Sequence, residues 1–300
     1  MGIQVARGSH WEGPILGSDK SGGGVFNDVS LAVSDQVRSP YNVMVENFDH
    51  AFVDGGLAGA GWTVTDINTA TSPTEVVDPE TGYLLINPGS KADSGTEIQK
   101  ILLPSQSTYV VPAHKVLGPI TSTATLMDNR EIFFQTRIGL ISESTAWSDR
   151  AVIGWITTDT SLMNTGTGAL TIAAGGGFGF HIGEDGVLGS FCSPDAITTS
   201  TATSYDFTLV TANTPEWVVL GARMRVVDAS ASTGICEFFV NGSKVGEIVD
   251  ACCMDSTEEF AYTMGIHNGA AIDADLAVDN IVTGITRPGL TWPYTDGTPY

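Results

Sequence analysis

Carboxylate and imidazole side chains, the usual agents of acid–base catalysis, are scattered along this sequence. A retaining glycoside hydrolase needs two carboxylates about 5 Å apart, which a Glu-x-Asp-x-x-Glu pattern places on one strand face. No such run occurs, and the nearest acidic cluster, Asp255 with Glu258 and Glu259, stands in a segment typical of a solvated loop. The histidines lie far apart, and His181 has neither a Ser nor a Cys nucleophile beside it in the sequence. We therefore predict that the chain is not an enzyme.

Several aspartates are placed where they could hold a cation. Asp273, Asp275 and Asp279 stand near the last predicted strand, and Asp49 and Asp54 stand near the first. Acids at alternate positions of a strand end can converge on calcium, but they can equally be edge charges that discourage strand addition. No segment matches the twelve-residue helix-loop-helix calcium loop. We predict no cofactor, with calcium at Asp273, Asp275 and Asp279 as the open alternative.

The cysteines favour reduced thiols over a metal site. Cys192, Cys236, Cys252 and Cys253 form no Cys-x-x-Cys pair and have no histidine at ligand spacing. Partly buried thiols are the ordinary state of such cysteines in a reducing compartment. We expect neither zinc nor a disulfide framework.

The chain is strongly acidic, with 34 Asp and Glu against 13 Lys and Arg, a formal net charge of -21. Binding to nucleic acid needs clustered basic side chains that neutralise phosphates, so DNA and RNA are excluded as ligands. The same charge opposes adsorption to anionic membranes, and no apolar run reaches the length needed to span one. The acids occur along almost the whole chain and indicate a solvated surface.

Residues 1–44 differ from the rest of the chain. They are rich in glycine and sustain neither the helical nor the strand period, so they cannot build a core of their own. We interpret them as an extended arm that packs on its own domain or on neighbouring subunits. No continuous apolar run follows basic residues there, which predicts cytoplasmic synthesis without a secretory leader. The proposed partner-binding anchors of the arm are Ile3, Val5, Trp11, Ile15, Leu16 and Phe26.

Residues 217–248 carry the clearest secondary-structure signal. From Trp217 onward, apolar residues alternate with a second set that includes Arg223 and Arg225, which is the period of a half-buried strand. The turn Asn241-Gly242 then joins two further strand-like segments, as in a tight β-hairpin. Similar alternation elsewhere and the 35 glycines of the whole chain favour many strands and turns. We predict an all-β antiparallel β-sandwich.

The layout after the arm resembles a known superfamily. Phe48, Phe52 and Trp62 are spaced by Asp and Gly turns and precede the strand-like segment GYLLI, an arrangement that resembles the opening of concanavalin-like or laminin-G-like jelly rolls. The segments IFFQTRIGL and AVIGWITTDTSLM resemble the middle strands of laminin-G-like domains in tailed-bacteriophage structural proteins, and DLAVDNI resembles the last strand. The resemblance implies a jelly-roll domain over residues 45–287, between the arm and a C-terminal tail, 288–300.

The resemblance also implies a function. We expect a viral structural protein, a capsid decoration or cement protein that binds the major capsid protein on the outer face of a phage head through its arm and sandwich. Members of such families commonly form trimers, so a homotrimer on the virion surface is expected. The alternative is a carbohydrate-binding, lectin-like host-recognition domain of a virion fibre or spike. Its glycan would stack on aromatic residues outside the core, for which Trp11, Trp147, Trp292 and Tyr294 are candidates.

Replacing Trp11 by Ala tests the arm. If the arm is an assembly clamp, this change should leave the Tm of the sandwich nearly unchanged and weaken capsid occupancy, because the indole would fill a pocket of the partner. Calorimetry of the free protein and cosedimentation with capsids measure the two effects. A large loss of intrinsic stability would instead place the arm in the core of its own domain.

Overall fold

A computed structural model describes the strands of the protein and the turns next to them. Residues 1–40 of the arm, Asp273 and the C-terminal tail fall outside the described residues. No helix in the described part of the chain is long and apolar enough to cross a membrane. The described residues are 41–47, 57, 61–67, 74–78, 82–89, 94–103, 131–142, 150–158, 176–183, 186–193, 201–206, 216–228, 233–249, 260–268 and 274–286.

Almost all of these residues belong to β-strands, which form two sheets. The strands are β1 (Tyr41–Asn47), β2 (Thr63–Ile67), β3 (Thr74–Asp78), β4 (Tyr83–Asn87), β5 (Gly95–Leu103), β6 (Glu131–Ser142), β7 (Arg150–Thr157), β8 (Gly177–Ile182), β9 (Val187–Ser193), β10 (Thr201–Asp206), β11 (Glu216–Asp228), β12 (Thr233–Val240), β13 (Ser243–Val249), β14 (Phe260–His267) and β15 (Ala274–Thr286).

One sheet has eight strands in the order β13-β12-β11-β6-β15-β4-β3, with β1 also paired to β15. The other sheet has seven strands in the order β10-β9-β8-β7-β14-β5-β2. The pairings are antiparallel, so the predicted all-β antiparallel β-sandwich is confirmed.

Aromatic side chains fill the space between the two sheets. Phe134 of the eight-stranded sheet lies 5.9 Å from Phe178 and 5.6 Å from Tyr262, both in the seven-stranded sheet, measured between ring centroids. Phe180 and Phe238 meet across the same space at 5.5 Å. All five rings are buried. Each such pair contributes about 0.5–1.5 kcal/mol beyond the burial of its area, so this layer holds the sheets face to face.

A hydrogen-bonded chain crosses this apolar layer. The indole Nε1 of Trp155 in β7 donates to the Thr283 hydroxyl in β15 at 2.7 Å, and that hydroxyl donates to the Phe133 carbonyl of β6 at 2.7 Å. A buried polar group without a partner would cost about 1–3 kcal/mol, and these two hydrogen bonds satisfy both the indole N–H and the Thr283 hydroxyl. They also link β7 of one sheet to β15 and β6 of the other at fixed positions.

The alternation predicted around residue 220 is confirmed. In β11 the side chains of Val218, Leu220 and Met224 are buried in the core, while Trp217 and Arg223 on the opposite face are half exposed. One face of the strand therefore faces the second sheet and the other faces outward, as its period of two predicts.

The predicted hairpin is also confirmed. The turn between β12 and β13 has positive φ values at Asn241 (47°) and Gly242 (85°), as a two-residue hairpin turn requires. The Asn241 N–H donates to the Val219 carbonyl at 2.8 Å, and its side-chain oxygen accepts from the Val219 N–H at 2.9 Å. These two bonds tie the turn to β11.

The first strand lies where the predicted arm meets the sandwich. Residues 41–47 pair with residues 280–286 of β15 in a continuous antiparallel register. The boundary placed after residue 44 therefore falls inside β1, and a deletion that removes the arm without cutting the sheet should end at residue 40. The structure of residues 1–40 lies outside the described part.

Two glycines allow β7 and β8 to approach closely. Gly154 and Gly179 face each other in the register of these strands. A Cβ on Gly154 would lie 2.3 Å from the Phe178 carbonyl oxygen, and a Cβ on Gly179 would lie 2.2 Å from the Ile153 carbonyl oxygen. Because the obstacles are backbone atoms, a side chain at either position would force the strands apart.

Replacing Gly242 by Val should lower the free energy of unfolding by more than ~1 kcal/mol, because a β-branched residue resists positive φ. No heavy atom lies within 4 Å of the Cβ position, so the cost comes from the backbone conformation. The matched control is Gly242→Asn, which tolerates this conformation and should lose less stability. Denaturant unfolding measures both variants, and equal losses would contradict this explanation.

Replacing Gly154 by Ala should lower the free energy of unfolding by about 3 kcal/mol, the upper part of the range for overpacking. Gly246→Ala is the control, since its Cβ would make only an ordinary contact, 3.7 Å from the Ser190 hydroxyl. That variant should stay within about 1 kcal/mol of the parent. Similar denaturation midpoints for the two variants would show that β7 and β8 can separate at little cost.

Candidate functional site

The face of the seven-stranded sheet that points away from the core carries a row of polar side chains. Gln99 of β5 faces Thr263 of β14, and its Nε2 donates to the Thr263 hydroxyl at 3.2 Å. Glu97 and His267 occupy diagonal positions on the same two strands. All four side chains are buried, Gln99 being 7% exposed. A carboxylate and an imidazole thus lie on one face, but within the closed structure rather than at an open surface.

The outer face of the eight-stranded sheet carries a half-exposed cluster, named here the aromatic patch, which consists of Tyr83, Arg137, Trp217 and Asp279. The two rings meet edge to face, with centroids 5.4 Å apart and planes at 72°. The Arg137 guanidinium lies over the Trp217 ring, 4.5 Å from its centroid, and donates to Asp279 Oδ2 at 2.8 Å. The side chains of Arg137 and Asp279 are 42% and 28% exposed. The patch therefore offers two rings and an ion pair to solvent.

Small residues between the strands allow the two rings to meet. Trp217 in β11 lies opposite Gly139 in β6, and Gly139 lies opposite Ala277 in β15. Tyr83 lies in β4, three strands away from β11, and neighbouring strands are about 4.8 Å apart. Because Gly139 and Ala277 project little above the sheet, the indole can extend across them towards Tyr83.

A β-bulge places Asp279 beside Arg137. Asn280 faces Arg137 in the register of β15 and β6, and Asp279 is the extra residue that precedes it. The Thr136 hydroxyl donates to the Asn280 carbonyl at 2.8 Å, and Asn280 Nδ2 donates to Asp279 Oδ2 at 3.3 Å. These bonds fix the carboxylate in the position where it meets the guanidinium.

A second group of charges on the same face serves the sheet itself. Glu237 of β12 accepts hydrogen bonds from Arg223 Nε at 2.9 Å and from Lys244 Nζ at 2.7 Å, and Lys244 also donates to Glu247. Burial by itself would raise the pKa of Glu237, but the hydrogen bonds from Lys244 and Arg223 outweigh it and lower that pKa. The charges cover β13, an edge strand, and discourage pairing with another chain.

The calcium candidates divide between described and undescribed residues. Asp275 and Asp279 both lie in β15, four residues apart, which in an extended strand is roughly 13 Å. One calcium ion holds its ligands at about 2.3–2.6 Å, so these two carboxylates do not share an ion. Asp279 is paired with Arg137, and no group of three or more metal-ligating side chains occurs among the described residues. Calcium at Asp273 together with either aspartate stays a prediction.

The sequence alone does not reveal the aromatic patch, because its members lie far apart along the chain. It places Trp217 on the arginine-bearing face of its strand and Tyr83 at the start of another strand, without bringing them together. The available signal was the outward position of each ring in an alternating strand. The residues predicted to bind a partner or a sugar lie outside the described residues: Ile3, Val5, Trp11, Ile15, Leu16, Phe26, Trp147, Trp292 and Tyr294.

No protein-family model matches this sequence, and no curated protein matches it in sequence. Several solved structures are similar to this one at low sequence identity. Peanut lectin is 11% identical, over 81% of this chain and 97% of its own, with a TM-score of 0.47. An endo-1,3-beta-glucanase from Streptomyces sioyaensis is 15% identical, over 85% of this chain and 100% of its own, with a TM-score of 0.46. A carbohydrate esterase from the Shiga toxin-encoding bacteriophage phi24B is 12% identical, over 81% of this chain and 100% of its own, with a TM-score of 0.41. These likenesses concern the fold alone, an antiparallel β-sandwich similar to those of lectins and glucanases.

Proposed function

We propose that this protein binds a neutral glycan through the aromatic patch of its eight-stranded sheet. The observation that carries the proposal is the half-exposed pair of rings, Tyr83 and Trp217, held at 72° beside the ion pair of Arg137 with Asp279. Ligand sites combine aromatic walls with a few oriented polar groups, and this cluster has both. It needs no rearrangement of the sheet to meet a ligand.

The geometry suits a sugar ring. The C–H face of a pyranose is apolar and packs on an aromatic ring, while its rim of hydroxyl groups needs donors and acceptors. Tyr83 and Trp217 form two walls of a corner, and the Arg137 guanidinium covers one face of the indole. The sugar would pack on the remaining ring surface, with the guanidinium and the Asp279 carboxylate near its rim of hydroxyl groups. A guanidinium supplies several donors in a fixed plane and a carboxylate supplies acceptors, so both hydroxyl roles are covered.

Charge favours a neutral glycan over an acidic one. Arg137 and Asp279 neutralise each other, so the patch has no surplus positive charge with which to attract an anion. The whole chain has a formal net charge of -21, which opposes the approach of a polyanionic polysaccharide. An uncharged glycan meets neither difficulty.

A structural role in a phage particle is the second candidate. The observation that favours it is the composition of the same patch, because Trp, Tyr and Arg are enriched at the centres of protein interfaces. In this role the patch and the arm would contact the major capsid protein or the sister copies of a homotrimer on the virion surface. Two results together would distinguish this role from glycan binding. The protein would bind no glycan, and substitutions in the aromatic patch would lower its occupancy on capsids.

Replacing Trp217 by Ala should weaken glycan binding about tenfold or more, because it removes one wall of the corner and frees Arg137 to move. The measurement is a screen on an array of neutral glucans, mannans and galactans, followed by calorimetric titration of the best ligand. Tyr83→Ala should give a loss of similar size. Both variants should retain the far-ultraviolet circular dichroism of a β-sandwich.

The control variant is Arg225→Ala, on the same strand and the same face but eight residues from Trp217. It should bind the glycan as the parent does. The proposal is wrong if no neutral glycan binds, or if the Trp217 and Tyr83 variants bind as tightly as the Arg225 variant.

A further inference from the structure

Two of the cysteines face each other between the sheets. Cys236 lies on β12 of the eight-stranded sheet, is fully buried and belongs to the core. Cys192 lies on β9 of the seven-stranded sheet, is partly exposed and packs against that core. The Cys192 side chain lies close enough to the Cys236 thiol to raise its pKa. The two side chains are therefore neighbours although their strands belong to different sheets.

The sheets approach each other closely at this margin. Phe180, which faces Ser190 in the register of β8 and β9, meets Phe238 of β12 at 5.5 Å. Gly246 of β13 faces Phe238, and a Cβ there would lie 3.7 Å from the Ser190 hydroxyl. Along their strands, Cys192 and Cys236 are the next inward residues after Ser190 and Phe238. Both β9 and β12 lie next to an edge strand, where small movements disturb few neighbours.

We propose that Cys192 and Cys236 are a redox-active pair that forms a disulfide between the two sheets when the protein meets a hydroperoxide. The Cys192 thiol attacks the O–O bond of hydrogen peroxide, which gives a Cys192 sulfenic acid and one water. The Cys236 thiol then attacks the sulfenic sulfur, which forms the S–S bond and releases a second water. Two thiols lose two electrons and two protons, and one peroxide is reduced to two waters.

The surroundings of the two thiols assign their roles. Cys192 is the partly exposed member, so a small oxidant reaches it first. Burial raises the pKa of the Cys236 thiol, and the neighbouring Cys192 side chain raises it further. Cys236 thus remains protonated and shielded at neutral pH, so it is not the thiol that the oxidant meets first.

The bond would change the stability of the fold with the redox state of its surroundings. A Cys192–Cys236 disulfide closes a loop that contains β10 and β11, and so restricts the unfolded chain. Bonds between the two sheets of a sandwich have a precedent in antibody domains. In reducing surroundings the pair stays as two thiols, and in oxidising surroundings it joins the sheets covalently.

The test uses the full chain with Cys252 and Cys253 replaced by Ser, so that Cys192 and Cys236 are the remaining thiols. Hydrogen peroxide should reduce the thiols titratable after denaturation from two to none and lower the intact mass by about 2 Da. A peptide map without reduction should join the Cys192 peptide to the Cys236 peptide. The Tm should rise by roughly 5 °C and return after dithiothreitol. The unsubstituted chain, mapped in the same way, should give the same joined peptides.

The matched variant carries Cys236→Ala in addition. Without a resolving thiol, its Cys192 should proceed to the sulfinic acid, with a gain of about 32 Da. In the protein that carries only the Cys252 and Cys253 substitutions, any one of three results would overturn the proposal. These are two thiols that survive peroxide, a sulfinic Cys192 beside an intact Cys236 thiol, or a dimer linked through Cys192. Circular dichroism before oxidation confirms that each variant is folded.

Discussion

The aromatic layer around Phe134 is the constraint on which the rest of the structure depends. Its ring touches Phe178, Phe180 and Tyr262 of the opposite sheet, so one face of each sheet must point at the other. Successive side chains of a strand point to opposite faces, and a shift of one residue would turn every buried ring outward. The inward positions of the rings therefore decide which residues remain outside.

The two proposed sites follow from this division. Trp217 precedes the buried Val218, and Tyr83 precedes the buried Leu84, so both rings stand on the outer face. Cys236 stands on the inner face, beside Cys192 of the other sheet. The same packing thus places the aromatic patch on an outer face, where a ligand can bind, and the pair Cys192 and Cys236 between the sheets, where the proposed oxidation would occur. Neither site requires a long loop.

Glycines inside strands have a part in the packing of both sheets. Gly139 leaves room for the Trp217 indole to cross β6, and Gly154 lets β7 lie against β8. In each case the missing side chain allows another group to come close. The high glycine content of the sequence, which predicts turns, therefore also reflects contacts between strands.

The sequence by itself determined the class of the fold, the alternation of β11 and the hairpin at Asn241, because these depend on neighbouring residues and on one dihedral preference. The tertiary structure decided which distant residues meet. It paired residues 41–47 with β15 and placed Asp279 against Arg137. It also brought Trp217 to Tyr83 and Cys192 to Cys236. The physical reason is that strand order and register join residues far apart in the chain, and no local period carries that information.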